Sequence, residues 1–166
     1  MSKAHLYALV GKEVKAYVDL PPECSKPGVS GLLGFWLYGM RPASHGWQEV
    51  YTRRLGSMGF VVEEASPCCL YRETDAVACV GHGDDFTFSG PEDALNKIEN
   101  GMCKLFMCKV EGRLGDGPKD LQEIRILNRI VPWHEWGIQY EPDPRHAEIL
   151  IREMDVKENE LSLIHI

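Results

Sequence analysis

Two adjacent carboxylates, Asp84-Asp85, stand between Gly81-His82-Gly83 and Phe86-Thr87-Phe88. Glycines followed by aromatic and β-branched residues read as a hairpin with both acids at its tip. Such a tip suits a divalent ion, because magnesium takes hard oxygen ligands and draws the rest of its shell from water and substrate phosphates. Nucleotidyl transfer uses two such ions about 3.5–4 Å apart, one at the attacking hydroxyl and one at the leaving pyrophosphate. An acidic pair is also ordinary in a solvated turn, so by itself it leaves both readings open. Arg41, near Tyr38 and at the start of a helical pattern, suits a phosphate-binding loop where backbone N–H groups add to the guanidinium charge. An exposed arginine on a turn is the plainer alternative.

Other reactive side chains carry less. The six cysteines, Cys24, Cys68, Cys69, Cys79, Cys103 and Cys108, follow no zinc spacing and are expected to be reduced, buried thiols. Cys103 and Cys108 lie five apart, on a helical pattern and its exit. His5, His134 and His146 lack partners at ligand spacing and read as surface or capping residues. Trp47 opens an apolar stripe, which favours a core anchor over a surface that stacks on a template base. Trp133 and Trp136 flank a second hairpin turn, where half-buried packing and support of a primer both stay open.

Several elements must position these groups. Leu6, Leu9 and Val10 have helical spacing ended by Gly11, and residues 14–20 alternate as a half-buried strand stopped by Pro21-Pro22. A helix capped by Ser44 carries Trp47, Val50, Tyr51, Leu55 and Met58, with Gly59 left-handed at its end and Phe60 folding back. Cys69-Leu70-Tyr71 is a strand, and residues 76–80 are a second, apolar on both faces and so central in a sheet. Gly90-Pro91 open a helix with Glu92 and Asp93 in its first turn and a stripe of Leu95, Ile98, Met102, Leu105 and Phe106. Residues 107–114 form a strand, residues 124–131 and 136–141 pair around Pro132-Trp133-His134-Glu135, and Asp143-Pro144 begin a helix with Ala147, Leu150, Ile151 and Met154 on one side. This order gives a mixed α/β (α+β) layer with antiparallel hairpins.

The ordered set of motifs resembles the reverse transcriptase domain of copia-type (Ty1/copia) long-terminal-repeat retrotransposons. Leu37-Tyr38-Gly39-Met40-Arg41-Pro42-Ala43-Ser44-His45-Gly46-Trp47 is similar to that family's Leu-Tyr-Gly-Leu-Lys-Gln-Ala-Pro-Arg-x-Trp element. Leu55, Gly59-Phe60 and Pro67-Cys68-Cys69-Leu70-Tyr71 follow at family spacing, and Val80-Gly81-His82-Gly83-Asp84-Asp85 stands where the family carries Tyr-Val-Asp-Asp. Lys15-Ala16-Tyr17-Val18-Asp19-Leu20-Pro21 resembles its Val-Tyr-Met-x-Gln-Pro stretch, and the likeness covers residues 2–154. Arg41 keeps the charge of the family's lysine, Pro42 replaces its glutamine, Ser44 its proline and His82 the tyrosine before the acids.

The resemblance implies a polymerase palm, with an antiparallel sheet carrying the acidic hairpin and helices packed on one face. It implies an RNA-directed DNA polymerase in which Asp84 and Asp85 are catalytic and bind two Mg2+ ions, or Mn2+ in their place. Arg41 and Tyr38 would bind the nucleotide, with His82 and Trp47 as weaker candidates for primer or template contact. The implied partners are an RNA or DNA template with primer and dNTPs, and the integrase and ribonuclease H parts of the polyprotein. The family's other metal-binding aspartate aligns just before Met1, which implies a palm truncated at both ends and inactive alone. Residues 1–160 are read as this palm. The last six, Leu161-Ser162-Leu163-Ile164-His165-Ile166, match the translation of a sequencing-library adapter and read as a scar.

Composition limits the alternatives. The net charge of −7 is unusual for a free-standing nucleic-acid binder, since phosphate neutralisation favours basic surfaces. The palm reading assigns those surfaces to fingers and thumb elsewhere in the parent. No apolar run approaches a membrane span, and the first residues lack a secretory signal, so an intracellular location is expected, cytoplasmic or in a virus-like particle for the parent. Two other readings remain: an inert retroelement relic, and a small α/β interaction module in which Asp84-Asp85 is a polar turn.

Overall fold

The helix expected around Trp47 forms, and it starts earlier than its apolar stripe. In the computed structural model, which describes residues 4–140 and 144–154, α1 spans Arg41–Gly56. Pro42 lies in the first turn, where its fixed φ suits the helix and its missing N–H costs nothing. Ser44 is therefore inside the helix and not its cap; its hydroxyl donates to the Arg41 carbonyl at 3.4 Å. Ala43, Trp47, Val50, Tyr51 and Leu55 are buried along one face. At the exit, the Phe60 N–H reaches the Leu55 carbonyl at 3.1 Å and the Gly59 N–H that of Gly56 at 3.0 Å, with Gly59 left-handed as expected.

The chain divides into two compact units, residues 1–110 and 111–166. In the first, β3 (Val61–Glu63), β4 (Ser66–Arg72), β5 (Val77–His82) and β6 (Asp85–Ser89) form one antiparallel sheet in sequence order. Helix α2 (Glu92–Leu105) follows, with Pro91 at its N-cap, Glu92 and Asp93 in its first turn, and Ala94, Ile98 and Met102 buried. Both helices share one core with Phe60, Leu70, Val77 and Cys79, so they cover one face of the sheet. Trp47, Leu55, Leu70, Ile98, Val77 and Cys79 are its largest fully buried side chains, and burial of each aliphatic one among them is worth about 1.5–3 kcal/mol. The central place in a sheet expected for residues 76–80 holds, but only one of the two apolar faces is buried. Strand β5 is central, yet its burial alternates, and Val80 is 49% exposed beside exposed Tyr71 and Ala78.

The N-terminal stretch departs further from its sequence pattern. Ala4–Tyr7 makes a single 3-10 turn, and the small residues Ala4 and Ala8 are buried while Leu6 and Leu9 are exposed. The chain then runs extended, the Val10 N–H bonding Gly34 and the Trp36 N–H bonding Ala8, both at 3.0 Å. The strand expected over residues 14–20 shrinks to β1 (Tyr17–Val18), paired with β2 (Gly31–Leu32).

In the second unit β7 (Glu123–Ile126), β8 (Arg129–His134) and β9 (Gly137–Ile138) form an antiparallel sheet, and α3 spans Pro144–Glu153. The run 124–131 is not one strand. Leu127 and Asn128 both take positive φ, 47° and 65°, and turn the chain so that Ile126 faces Arg129. Strand β8 continues through Pro132 to His134, where a loop was expected. The strand expected at 107–114 is also absent: 107–113 is irregular and Leu114 makes only an isolated bridge with Leu121. In α3, Ile149 and Ile151 are half-buried, while Leu150 and Met154 are exposed, contrary to the expected stripe. Glu141, Asp143, residues 161–166 (read from the sequence as a scar) and the side chains of His5, His146 and Ala147 lie outside the described residues.

Candidate metal centre at the acidic hairpin

Strands β5 and β6 are joined by two residues, Gly83 and Asp84, with His82 directly opposite Asp85. Gly83 alone of the two takes positive φ, +60°, which is the glycine-first pattern of a type II′ hairpin turn. That turn matches the right-handed twist of the flanking strands; Asp84 lies in it and Asp85 opens β6 directly after it. Asp84 is half-buried, whereas Asp85 and His82 are exposed. Period-2 alternation sets Asp85 on the open side of the sheet, in line with exposed Thr87 and beside Val80.

The turn is held from beneath by α1. The Trp47 indole N–H donates to the Gly83 carbonyl at 2.7 Å. Its ring lies 5.6 Å from Tyr51, 5.5 Å from Phe106, 6.3 Å from Phe86 and 5.9 Å from Tyr7. Phe86, the residue after the acids, sits 5.1 Å from Tyr51 edge to face. Each such pair adds about 0.5–1.5 kcal/mol beyond its area. Gly81 admits this packing: a Cβ there would meet the Phe86 ring at 3.1 Å. Trp47 is only 2% exposed, so its ring packs as a core anchor and offers no face to a template base.

Burial also sets the nearby ionisations. The Tyr51 hydroxyl is raised above its ordinary value by desolvation, then by the Cys68 and Cys79 sulfurs. Desolvation pushes the Cys79 thiol up to about 12, so it stays protonated and inert at neutral pH. The expected burial of thiols holds for Cys79 alone: Cys24, Cys68 and Cys103 are exposed, and Cys69 and Cys108 are intermediate.

Arg41 and Tyr38 are both exposed at the start of α1, Tyr38 in the turn before it. Arg41 precedes Trp47 by six residues, or about 9 Å along the helix axis. The helix thus links a cation at its N-terminus to the acidic turn through Trp47. In the second unit Trp133 is half-buried in β8, while Trp136 is 73% exposed and stacks on His134 at 4.7 Å. His134 Nε2 also hydrogen-bonds Gln139 Oε1 at 2.9 Å.

The donor set suits a hard divalent cation in kind: two carboxylates on an accessible, braced turn. Among the described residues, no group of three or more His, Cys, Asp or Glu side chains comes together to hold a metal. The pair would therefore supply part of a shell, with water and phosphate oxygens completing it. No family model, curated protein or solved structure matches the chain. Among the described residues, no helix is long and apolar enough to cross a membrane.

The hairpin forms where the sequence pattern puts it, but its turn is shorter than residues 81–85: Asp84 is in it, Asp85 already belongs to β6, and what braces the turn lies outside that pattern. Phe86 and Gly81 carried a signal, since an aromatic directly across a strand pair from glycine packs over it. The partner of the Trp47 N–H had none.

Proposed function

We propose that the chain is the palm part of an RNA-directed DNA polymerase of the copia type, with Asp84 and Asp85 as its metal-binding pair. The observation that carries this reading is the bond from Trp47 to Gly83. Two motifs of the resemblance, separated by more than thirty residues in sequence, meet there: the stretch ending at Trp47 and the stretch ending at Asp85. An antiparallel sheet with helices on one face and the acids at one end also fits a palm.

In this reading Asp84 and Asp85 hold Mg2+, which when bound activates the primer hydroxyl and neutralises the leaving pyrophosphate. Arg41 holds the triphosphate by charge and paired N–H groups, with Tyr38 beside it. Trp47 and Phe86 fix the turn so that the carboxylates do not reorganise as charge develops. His82, opposite Asp85, would lie beside the primer end. Pro42, where the family has glutamine, starts the helix well but contributes no amide to the nucleotide.

Mn2+ serves as a paramagnetic stand-in. Titrated into the labelled chain, it should broaden the amide signals of residues 82–86 first. Asp84→Asn should weaken that binding by more than the about 10–100-fold typical of losing an outer-shell partner. Broadening centred elsewhere, or unchanged in the variant, sinks the assignment. The same reading expects no primer extension from this chain alone. A longer frame supplying the family's further aspartate should extend a primer and lose that activity on Asp84→Asn.

One observation favours a different class. Tyr71, Ala78 and Val80 make the open face of the sheet partly apolar, as an interaction module would have it. That reading predicts no Mn2+ site at the turn, so the titration separates the two.

A further inference from the structure

Helix α2 ends at Leu105, and Phe106 turns the chain back into extended geometry, with φ −138° and ψ 151°. The Phe106 N–H still bonds the Met102 carbonyl at 2.8 Å, so the reversal is tight. It brings Cys108 back against the last turn of the helix, where its Sγ lies 3.4 Å from that of Cys103. Cys103 is exposed and Cys108 is half-buried beside it. The segment is anchored on both sides. Phe106 is buried against Trp47 and Tyr7, and the Met107 N–H donates to the Tyr7 hydroxyl at 2.7 Å. The two sulfurs are thus held as neighbours by packing rather than meeting by chance in a loose loop.

We propose that Cys103 and Cys108 form a thiol–disulfide redox pair that reacts with small-molecule disulfides of the glutathione class. A disulfide needs the sulfurs at about 2.05 Å, so closure asks for an approach of about 1.4 Å. Cys103, the accessible sulfur, attacks first as its thiolate. A Cys103–glutathione bond forms, the glutathione S–S bond breaks, and one glutathione thiolate leaves. Cys108 then loses its proton to solvent and attacks the Cys103 sulfur, which releases the second glutathione thiolate. The pair gives up two electrons and two protons, and glutathione disulfide is reduced to two glutathiones. The roles follow the surroundings. Burial, and the hydrogen bond with Cys103, push the Cys108 thiol up to about 11, which suits it to the resolving step at close range rather than to attack from solution.

The test uses the full, reduced chain incubated with glutathione disulfide, trapped with an alkylating agent and mapped by peptide mass. The wild-type chain should lose two alkylatable thiols, at Cys103 and Cys108, and hold an internal bond between them without retained glutathione. Cys108→Ser removes the resolving sulfur, so glutathione should accumulate on Cys103 about tenfold above its wild-type level, because the second step is intramolecular. Cys103→Ser should leave Cys108 unmodified under the same conditions. Oxidation should also raise the melting temperature of the wild-type chain and leave that of Cys103→Ser unchanged, with circular dichroism confirming that both variants fold. Equal glutathione on Cys103 in wild type and Cys108→Ser would overturn the proposal and leave a thiol–thiol hydrogen bond only. Preferential bonding of Cys103 to Cys68 or Cys24 would overturn it as well.

Discussion

At the scale of single residues, the polar end of Trp47 matters as much as its apolar body. Its ring fills the centre of an aromatic cluster, and its one N–H fixes the carbonyl between Gly83 and Asp84. Trp47→Phe keeps an aromatic ring but removes the donor and part of the volume. The lost hydrogen bond costs about 0.5–1.5 kcal/mol, and the smaller ring adds to it. Trp47→Ala should cost about 3–5 kcal/mol in urea unfolding. If the acidic turn binds metal, Trp47→Phe should also weaken Mn2+ about tenfold although it touches no carboxylate. Equal Mn2+ affinity in wild type and Trp47→Phe would remove Trp47 from the site and leave it as packing. The burial of Trp47 was legible, because Trp47, Val50, Tyr51 and Leu55 recur at helical spacing. The destination of its N–H was not, because periodicity specifies a face and says nothing of a partner thirty-six residues away.

At the scale of elements, the connections decide where the sequence was readable. The acidic hairpin announced itself through Gly83, the residue type a II′ turn requires at its first position. The β7–β8 hairpin did not, because Leu127 occupies a left-handed position that glycine or asparagine normally takes, and it merges with Ile124, Ile126 and Ile130 into an apparent strand. A side chain there costs about 1–2 kcal/mol of backbone strain. Leu127 is exposed, so Leu127→Asn should stabilise the second unit by about 1 kcal/mol, seen as a higher urea midpoint at unchanged slope. A lower midpoint would mean that Leu127 packs more than it strains. The link from β4 to β5 makes a pH-dependent prediction. Arg72 binds Asp75 through two bonds, 2.7 Å from Nε and 2.6 Å from Nη2, and donates to the Met58 carbonyl at 3.1 Å. The hydrogen bond from Arg72 holds the Asp75 carboxyl below its ordinary 3.8. A depressed folded value contributes stability that is present above 3.8 and lost as pH falls through the lower, folded value. Asp75→Asn should therefore destabilise the chain at neutral pH, with the difference from wild type closing in strong acid. A difference that stays constant from neutral pH to acid would place the effect in packing rather than charge.

At the scale of the whole molecule, apolar burial is unevenly shared between the two units. Among the described residues, all the buried hydrophobics but Val131 fall between Ala4 and Phe106, within the first unit. That unit joins two helices to a four-stranded sheet through a single cluster, the arrangement that lets a sheet bury one face and stand alone. The second unit has a three-stranded sheet with one buried hydrophobic among its described residues, and Ile130, Trp136, Ile138 and Tyr140 are exposed. Composition could not reveal this, because a count of apolar residues for the whole chain does not say where they converge. In sequence, the irregular segment 107–113 follows α2 and precedes β7, and it offers a boundary, with Lys109, Val110, Glu111 and Gly112 all exposed. Residues 1–110 produced alone should keep the near-ultraviolet signal of the Trp47 cluster and melt in one cooperative transition. Residues 111–166 alone should give no cooperative transition, since their described residues bury too little apolar surface to offset the chain entropy lost on ordering. Loss of the near-ultraviolet signal from 1–110 would show that the aromatic cluster depends on the second unit. A sharp transition from 111–166 would show that its sheet is stabilised by something other than the core described here. The first outcome would also bear on the acidic turn, because Phe106, Trp47 and Gly83 form one chain of contacts and the turn loses its brace if that cluster loosens.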